Sequence, residues 1–103
     1  MSYSIHITAT AEQDLINALN HIEFVLKNPK AADDLLDESK FKINSLAEFP
    51  AEFRLVDDML LASWGVRFVV VSGYLAFYVI FEERNQVTIV RFLYRKSNWC
   101  IFR

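Results

Sequence analysis

The run Tyr74-Leu75-Ala76-Phe77-Tyr78-Val79-Ile80-Phe81 constrains the fold more than any other part of the chain. Its residues are strand formers, yet they lack the apolar–polar alternation of a strand with one wet face. Both faces of such a strand need a cover. Helices can cover one. Leu75, Phe77, Val79 and Phe81, or the alternate set, then lie against something else. The loop 57–65 and the C-terminal tail can supply that second cover. A partner chain can too, because large exposed apolar patches mark interaction sites.

The remaining segments say what surrounds this strand. Tyr3, Ile5 and Ile7 alternate with Ser4, His6 and Thr8, the period-two pattern of a half-buried strand. His6 lies on the polar face without a second ligand at metal spacing. Thr10-Ala11-Glu12-Gln13 reads as a capping box opening a helix, with Leu15, Leu19, Ile22 and Leu26 as its core stripe. Asn28-Pro29 stops that helix and caps the next, which runs to about Glu48 on Ala32, Leu35, Leu36, Ile43 and Leu46. So short a link predicts an antiparallel helical hairpin. Its outer charges, Glu12, Asp14, Glu23, Lys27, Asp33, Asp34, Lys40 and Lys42, read as a solvated surface.

After Phe49-Pro50 the residue types switch to strand formers. Arg54–Val56 reads as a short strand, Val66–Val71 and Tyr74–Phe81 as a hairpin on Ser72-Gly73, and Val87–Leu93 as the last strand after a turn at 83–86. The expected fold is α+β: an N-terminal strand, then a helical hairpin packed on an antiparallel sheet, as one domain over 1–103.

Composition removes several classes of function. The chain has 103 residues, of which 53% are hydrophobic and 15% aromatic, with two Gly and two Pro, so it is neither disordered nor low-complexity. A single cysteine, Cys100, excludes a disulfide framework and a cysteine zinc site. No charged-then-apolar leader opens the sequence, which leads to the expectation of a cytoplasmic protein. Residues 59–81 do not read as a membrane span. Arg67 breaks them, and the fourteen uncharged residues 68–81 fall short of the ~20 required.

Net charge −2 conceals an asymmetry. Residues 1–58 carry eleven acids and five bases, a net −6; residues 59–103 carry two acids and six bases, a net +4. Either the two halves neutralise each other across the fold, or the C-terminal part meets an anionic partner. The overall acidity argues against a sequence-blind nucleic-acid coat protein.

Little else carries chemistry. There is no phosphate-cradling glycine loop, His-Glu-x-x-His helix or nucleophile elbow. The pairs Asp33-Asp34, Asp57-Asp58 and Glu82-Glu83 are adjacent, and neighbours on a strand point apart, which makes poor acid–base couples. No cofactor and no metal are expected. What remains is Arg91, Tyr94, Arg95, Lys96, Ser97, Asn98 and Trp99, where cations interleave with aromatic rings. Such a cluster can hold a phosphate backbone and stack a base. In a metal-free ribonuclease the cations would stabilise the charged phosphate and a tyrosine could transfer a proton.

Asn28-Pro29 with Ala31-Ala32, then Phe49-Pro50, Gly-Val-Arg-Phe at 65–68, Gly-Tyr-Leu-Ala-Phe-Tyr at 73–78 and Val-Arg-Phe-Leu-Tyr-Arg-Lys-Ser-Asn-Trp at 90–99 follow one another in a familiar order. In that order, and over nearly its whole length, the chain resembles the RelE/ParE superfamily of bacterial toxins. The resemblance implies a toxin of a type II toxin–antitoxin pair, held inactive by a cognate antitoxin that lays a helix or strand over it. Operator DNA would be reached only through the antitoxin.

The superfamily divides by target. One branch cleaves mRNA on the ribosome without a metal; the other inhibits DNA gyrase. The first branch commonly has an arginine where this chain has Leu75, and some members have a histidine where it has Leu93. Arg95 and Lys96 do match the position of catalytic or RNA-binding cations. Ribosome-dependent mRNA cleavage is the expectation. Arg67, Tyr94 and Lys96 would be catalytic, Arg91, Arg95 and Trp99 would bind RNA, and Leu75, Phe77, Val79 and Phe81 would face the antitoxin. Arg67 matches a recurrent family arginine, but its strand position also allows a structural ion pair with a helix acid, and Arg91 is similar. The alternatives are gyrase inhibition, or a degenerate toxin acting only as an antitoxin partner.

Overall fold

The computed structural model describes residues 3–53, 55–56 and 59–95. In chain order these form β1 (Ser4–Ile7), α1 (Ala9–Asn20) continued by a π-helical turn (His21–Val25), α2 (Pro29–Ser45), a short α3 (Met59–Ser63), β2 (Arg67–Val71), β3 (Tyr74–Phe81) and β4 (Gln86–Tyr94).

Local chemistry sets the helix ends. Asn28 Oδ1 accepts from the Ala31 N–H with Pro29 in the first turn, as the sequence predicts. The first helix starts two residues earlier than its capping box suggests. Thr8, not Thr10, is the cap, and its Oγ1 accepts from the Ala11 N–H at 3.1 Å. A threonine at either place can cap, and the start at Thr8 buries Ala11. The π-helical turn explains a second departure. Its wider turn adds a residue and shifts the phase of the stripe. Leu15, Leu19 and Ile22 pack on the core, whereas Leu26 is exposed beside Phe24 and Val25.

The sheet has the order β1-β4-β3-β2. β2, β3 and β4 are antiparallel, as expected, but β1 joins the edge parallel to β4, pairing Ser4 with Gln86 and Ile7 with Ile89. The sheet is therefore mixed. No local pattern encodes that pairing, because it is settled by where the two helices return the chain.

β3 is covered on both faces, as its composition demands. On one face Ala76 and Tyr78 join Val69, Val71, Val87, Ile89 and Phe92 beneath Ala11, Ala18, Leu35, Ile43 and Leu46 of the helical layer. On the other, Leu75, Phe77 and Leu93 pack with Val56, Leu61 and Val66. The segment expected to be loop thus contains α3. Its Leu61 caps this second core, and Gly65 ends it with φ +77, a left-handed conformation suited to glycine. Of the expected strand at 54–56, an isolated bridge from Leu55 to Arg67 is present, while Arg54 lies outside the described residues.

β4 serves both cores through a register shift. Tyr78 pairs with Ile89 and Phe77 with Arg91, leaving Val90 as the extra residue. Ile89 and Phe92 can then both face the helices, although they are three positions apart in a strand of period two.

Candidate functional site

The C-terminal end of β4 emerges between the β2–β3 hairpin and the helices. The hairpin tip is tied to α2. Glu38 accepts from the Ser72 N–H at 2.9 Å and from Ser72 Oγ at 3.0 Å, and Lys42 Nζ donates to the Val70 carbonyl at 2.8 Å. Burial raises the Glu38 pKa, but the Ser72 hydrogen bonds and the Lys42 charge outweigh it, so the net shift is downward.

Asp14 holds the strand itself. Its carboxylate takes a two-pronged contact from Arg91, at 2.7 and 3.1 Å, and accepts the Phe92 N–H at 3.1 Å. Both side chains are largely buried, and hydrogen bonding to Asp14 raises the Arg91 pKa against the opposing effect of burial. Asp14 therefore does not belong to the solvated surface expected from the sequence. The signal was there: it lies three residues after Ala11 and four before Ala18, on the stripe that packs inward.

This framework presents Tyr94 and Arg95. Tyr94 is half exposed and meets the Tyr74 ring edge-on at 5.4 Å, and Tyr74 in turn stacks on Phe92 at 5.3 Å. Burial first, and the neighbouring Tyr94 second, raise the Tyr74 pKa. Arg95 is exposed, and its N–H donates to the Gly73 carbonyl at 3.0 Å. An open groove of about 370 Å³ runs alongside, with Ile22, Leu26, Leu35, Tyr74 and Tyr94 among its walls. Aromatic faces, an exposed arginine and an apolar groove suit docking.

The other expected residues do not converge on this point. Arg67 opposes Tyr78 whereas Tyr94 opposes Tyr74, a separation of about 13 Å along the strands, with two strand spacings between them as well. The Arg67 guanidinium donates to the Phe53 carbonyl at 2.7 Å and so serves the fold, through a backbone carbonyl in place of a helix acid. Arg91 is committed to Asp14. Lys96 and Trp99 lie outside the described residues.

The expected antitoxin face divides. Leu75 and Phe77 are covered by Val56, Leu61 and Val66 of the chain itself, so a partner cannot reach them without displacing that cover. Val79 is partly buried on the same cluster, and Phe81 is exposed with the Arg84 guanidinium 5.9 Å from its ring. Among the described residues no group of three or more His, Cys, Asp or Glu is placed to hold a metal ion, and no helix is long and apolar enough to cross a membrane.

Residues 5–99 match the family model of the ParE toxin of the type II toxin–antitoxin system parDE, and the chain belongs to that family of toxins. Two solved structures share the fold. A chromosomal ParDE toxin–antitoxin system from P. aeruginosa is similar with TM-score 0.72 at 18% identity, covering 90% of this chain and 96% of the other. The RelBE2 toxin–antitoxin complex from Mycobacterium tuberculosis is similar with TM-score 0.64 at 21% identity, covering 92% and 100%. No curated protein matches the chain in sequence.

Proposed function

We propose that this toxin acts without catalysis, by binding DNA gyrase, and that a cognate antitoxin neutralises it and carries any contact with operator DNA. The observation that carries this reading is the pairing of Leu75 with Leu93 inside an apolar cluster, 6% and 8% exposed. These are the positions where the ribonuclease branch is expected to carry charged or proton-transferring groups. Here they hold none, and the arginines at 67 and 91 are spent on Phe53 and Asp14. A binding role asks only for a firm docking end, and Tyr94, Arg95 and the adjoining groove supply one.

Cleavage of mRNA on the ribosome is the second reading. The exposed Tyr94–Arg95 pair favours it, since an aromatic ring beside a cation also suits a nucleic acid. Two assays on the same induced cells separate the readings. Loss of supercoiling activity and DNA-damage induction with intact transcripts support gyrase inhibition. New RNA 5′ ends inside translated codons, missing from a translation-blocked transcript, overturn it in favour of the ribonuclease.

A further inference from the structure

We propose that the open cavity between the start of β1 and the turn after α2 receives an arginine side chain presented by another protein. The cavity measures about 540 Å³ and is lined by Tyr3, Glu48, Phe49, Pro50 and Ala51. It lies on a different part of the surface from the Tyr94 groove and does not depend on how the toxin acts.

Its walls are fixed before anything enters. The Tyr3 N–H donates to the Ala47 carbonyl at 2.7 Å, and the Tyr3 hydroxyl donates to Glu82 Oε2 at 2.7 Å, which holds the ring in place. The far side is anchored by the Tyr78 hydroxyl, which donates to the Pro50 carbonyl at 2.6 Å from within the core. Phe49 leaves 68% of its surface in water although an aromatic ring gains from burial. Glu48 is exposed and has no ion pair among the described residues.

Two aromatic rings, an exposed carboxylate and an apolar floor, with no cation among the described lining residues, call for a ligand that is positive yet flat. A guanidinium stacks on aromatic faces and forks onto a carboxylate, whereas an ammonium is a compact, strongly hydrated charge. The aliphatic stem of the arginine would lie on Pro50 and Ala51. Free arginine fits less well, because it brings a carboxylate of its own to an acidic site. An arginine within a polypeptide brings no such charge.

The test is an NMR titration of the isotope-labelled full chain with N-acetyl-Gly-Arg-Gly-amide, following Tyr3 and Phe49. Saturable shifts at both residues are expected, weakened roughly tenfold when citrulline replaces arginine and when Glu48→Gln or Phe49→Ala is introduced. The two variants sit at exposed positions and should melt with the parent. Equal binding of the citrulline peptide, equal or tighter binding of free arginine, or no saturable shift overturns the proposal. Binding seen only after Arg54→Ala also overturns it, since the occupant would then be the chain's own arginine.

Discussion

Leu75 and Leu93 face each other across β3 and β4 and close an apolar cluster with Val56, Leu61, Val66 and Phe77. A charged or titratable group cannot be placed there cheaply. Leu75→Arg or Leu93→His should lower stability in urea denaturation by about 3 kcal/mol or more, since each buries a polar group without a partner. Neither should confer RNA cleavage. A stable Leu93→His protein would show that the cluster is open to water.

Asp14→Ala leaves the Arg91 charge and the Phe92 N–H without their acceptor. The expected loss is about 3 kcal/mol, the range for breaking a largely buried pair on one side only. Asp14→Leu combined with Arg91→Met should recover much of it. A double-mutant cycle with no coupling energy would contradict the geometry.

The Glu38 contacts predict a pH dependence. Its folded pKa lies below the ordinary value of 4.5, so its contribution is fully present above that value and is lost as pH falls through the lowered one. Stability curves of the parent and Glu38→Gln should therefore differ at neutral pH and converge in acid. Curves that stay parallel to the lowest pH would refute the contact with Ser72.

Ser39 is 1% exposed, and its hydroxyl has no hydrogen-bond partner among the described residues. Ser39→Ala removes an unsatisfied group and improves helix propensity, so a gain of about 1 kcal/mol is expected from denaturant titration.

Gly65 offers a clean measure of backbone strain, because a Cβ there would meet nothing within 4 Å while φ is +77. Gly65→Ala should cost about 1 kcal/mol and Gly65→Asn less, since asparagine tolerates the left-handed region. Equal costs would point to a steric cause instead.

What could be read from the sequence was mostly local. The Asn28-Pro29 start of α2, the Ser72-Gly73 turn and the doubly covered β3 follow from side-chain chemistry within a few residues. The Ser72-Gly73 turn differs in one detail: Ser72, at φ +55, takes the left-handed position and its hydroxyl reaches Glu38. The rest depended on distant parts of the chain. A π-helical turn that exposes Leu26, a helix at 59–63 and a parallel β1 are decided by packing, which a periodicity cannot express. At the candidate site Tyr94 and Arg95 stood out as a motif. Asp14, which fixes the strand that carries them, was hidden among the helix charges, and only its phase against Ala11 and Ala18 distinguished it.

The pairing of β1 with β4 has a consequence for how the protein comes to exist in a cell. The strand at 4–7 waits for residues 86–89, some eighty positions later, and the helix-facing core lacks Val87, Ile89 and Phe92 until they have been made. A nascent or truncated product that stops before β4 therefore has helices over an incomplete floor and an edge strand without a neighbour. Translation that halts at Glu83 would leave β1 unpaired and end the chain before Tyr94 and Arg95 are made.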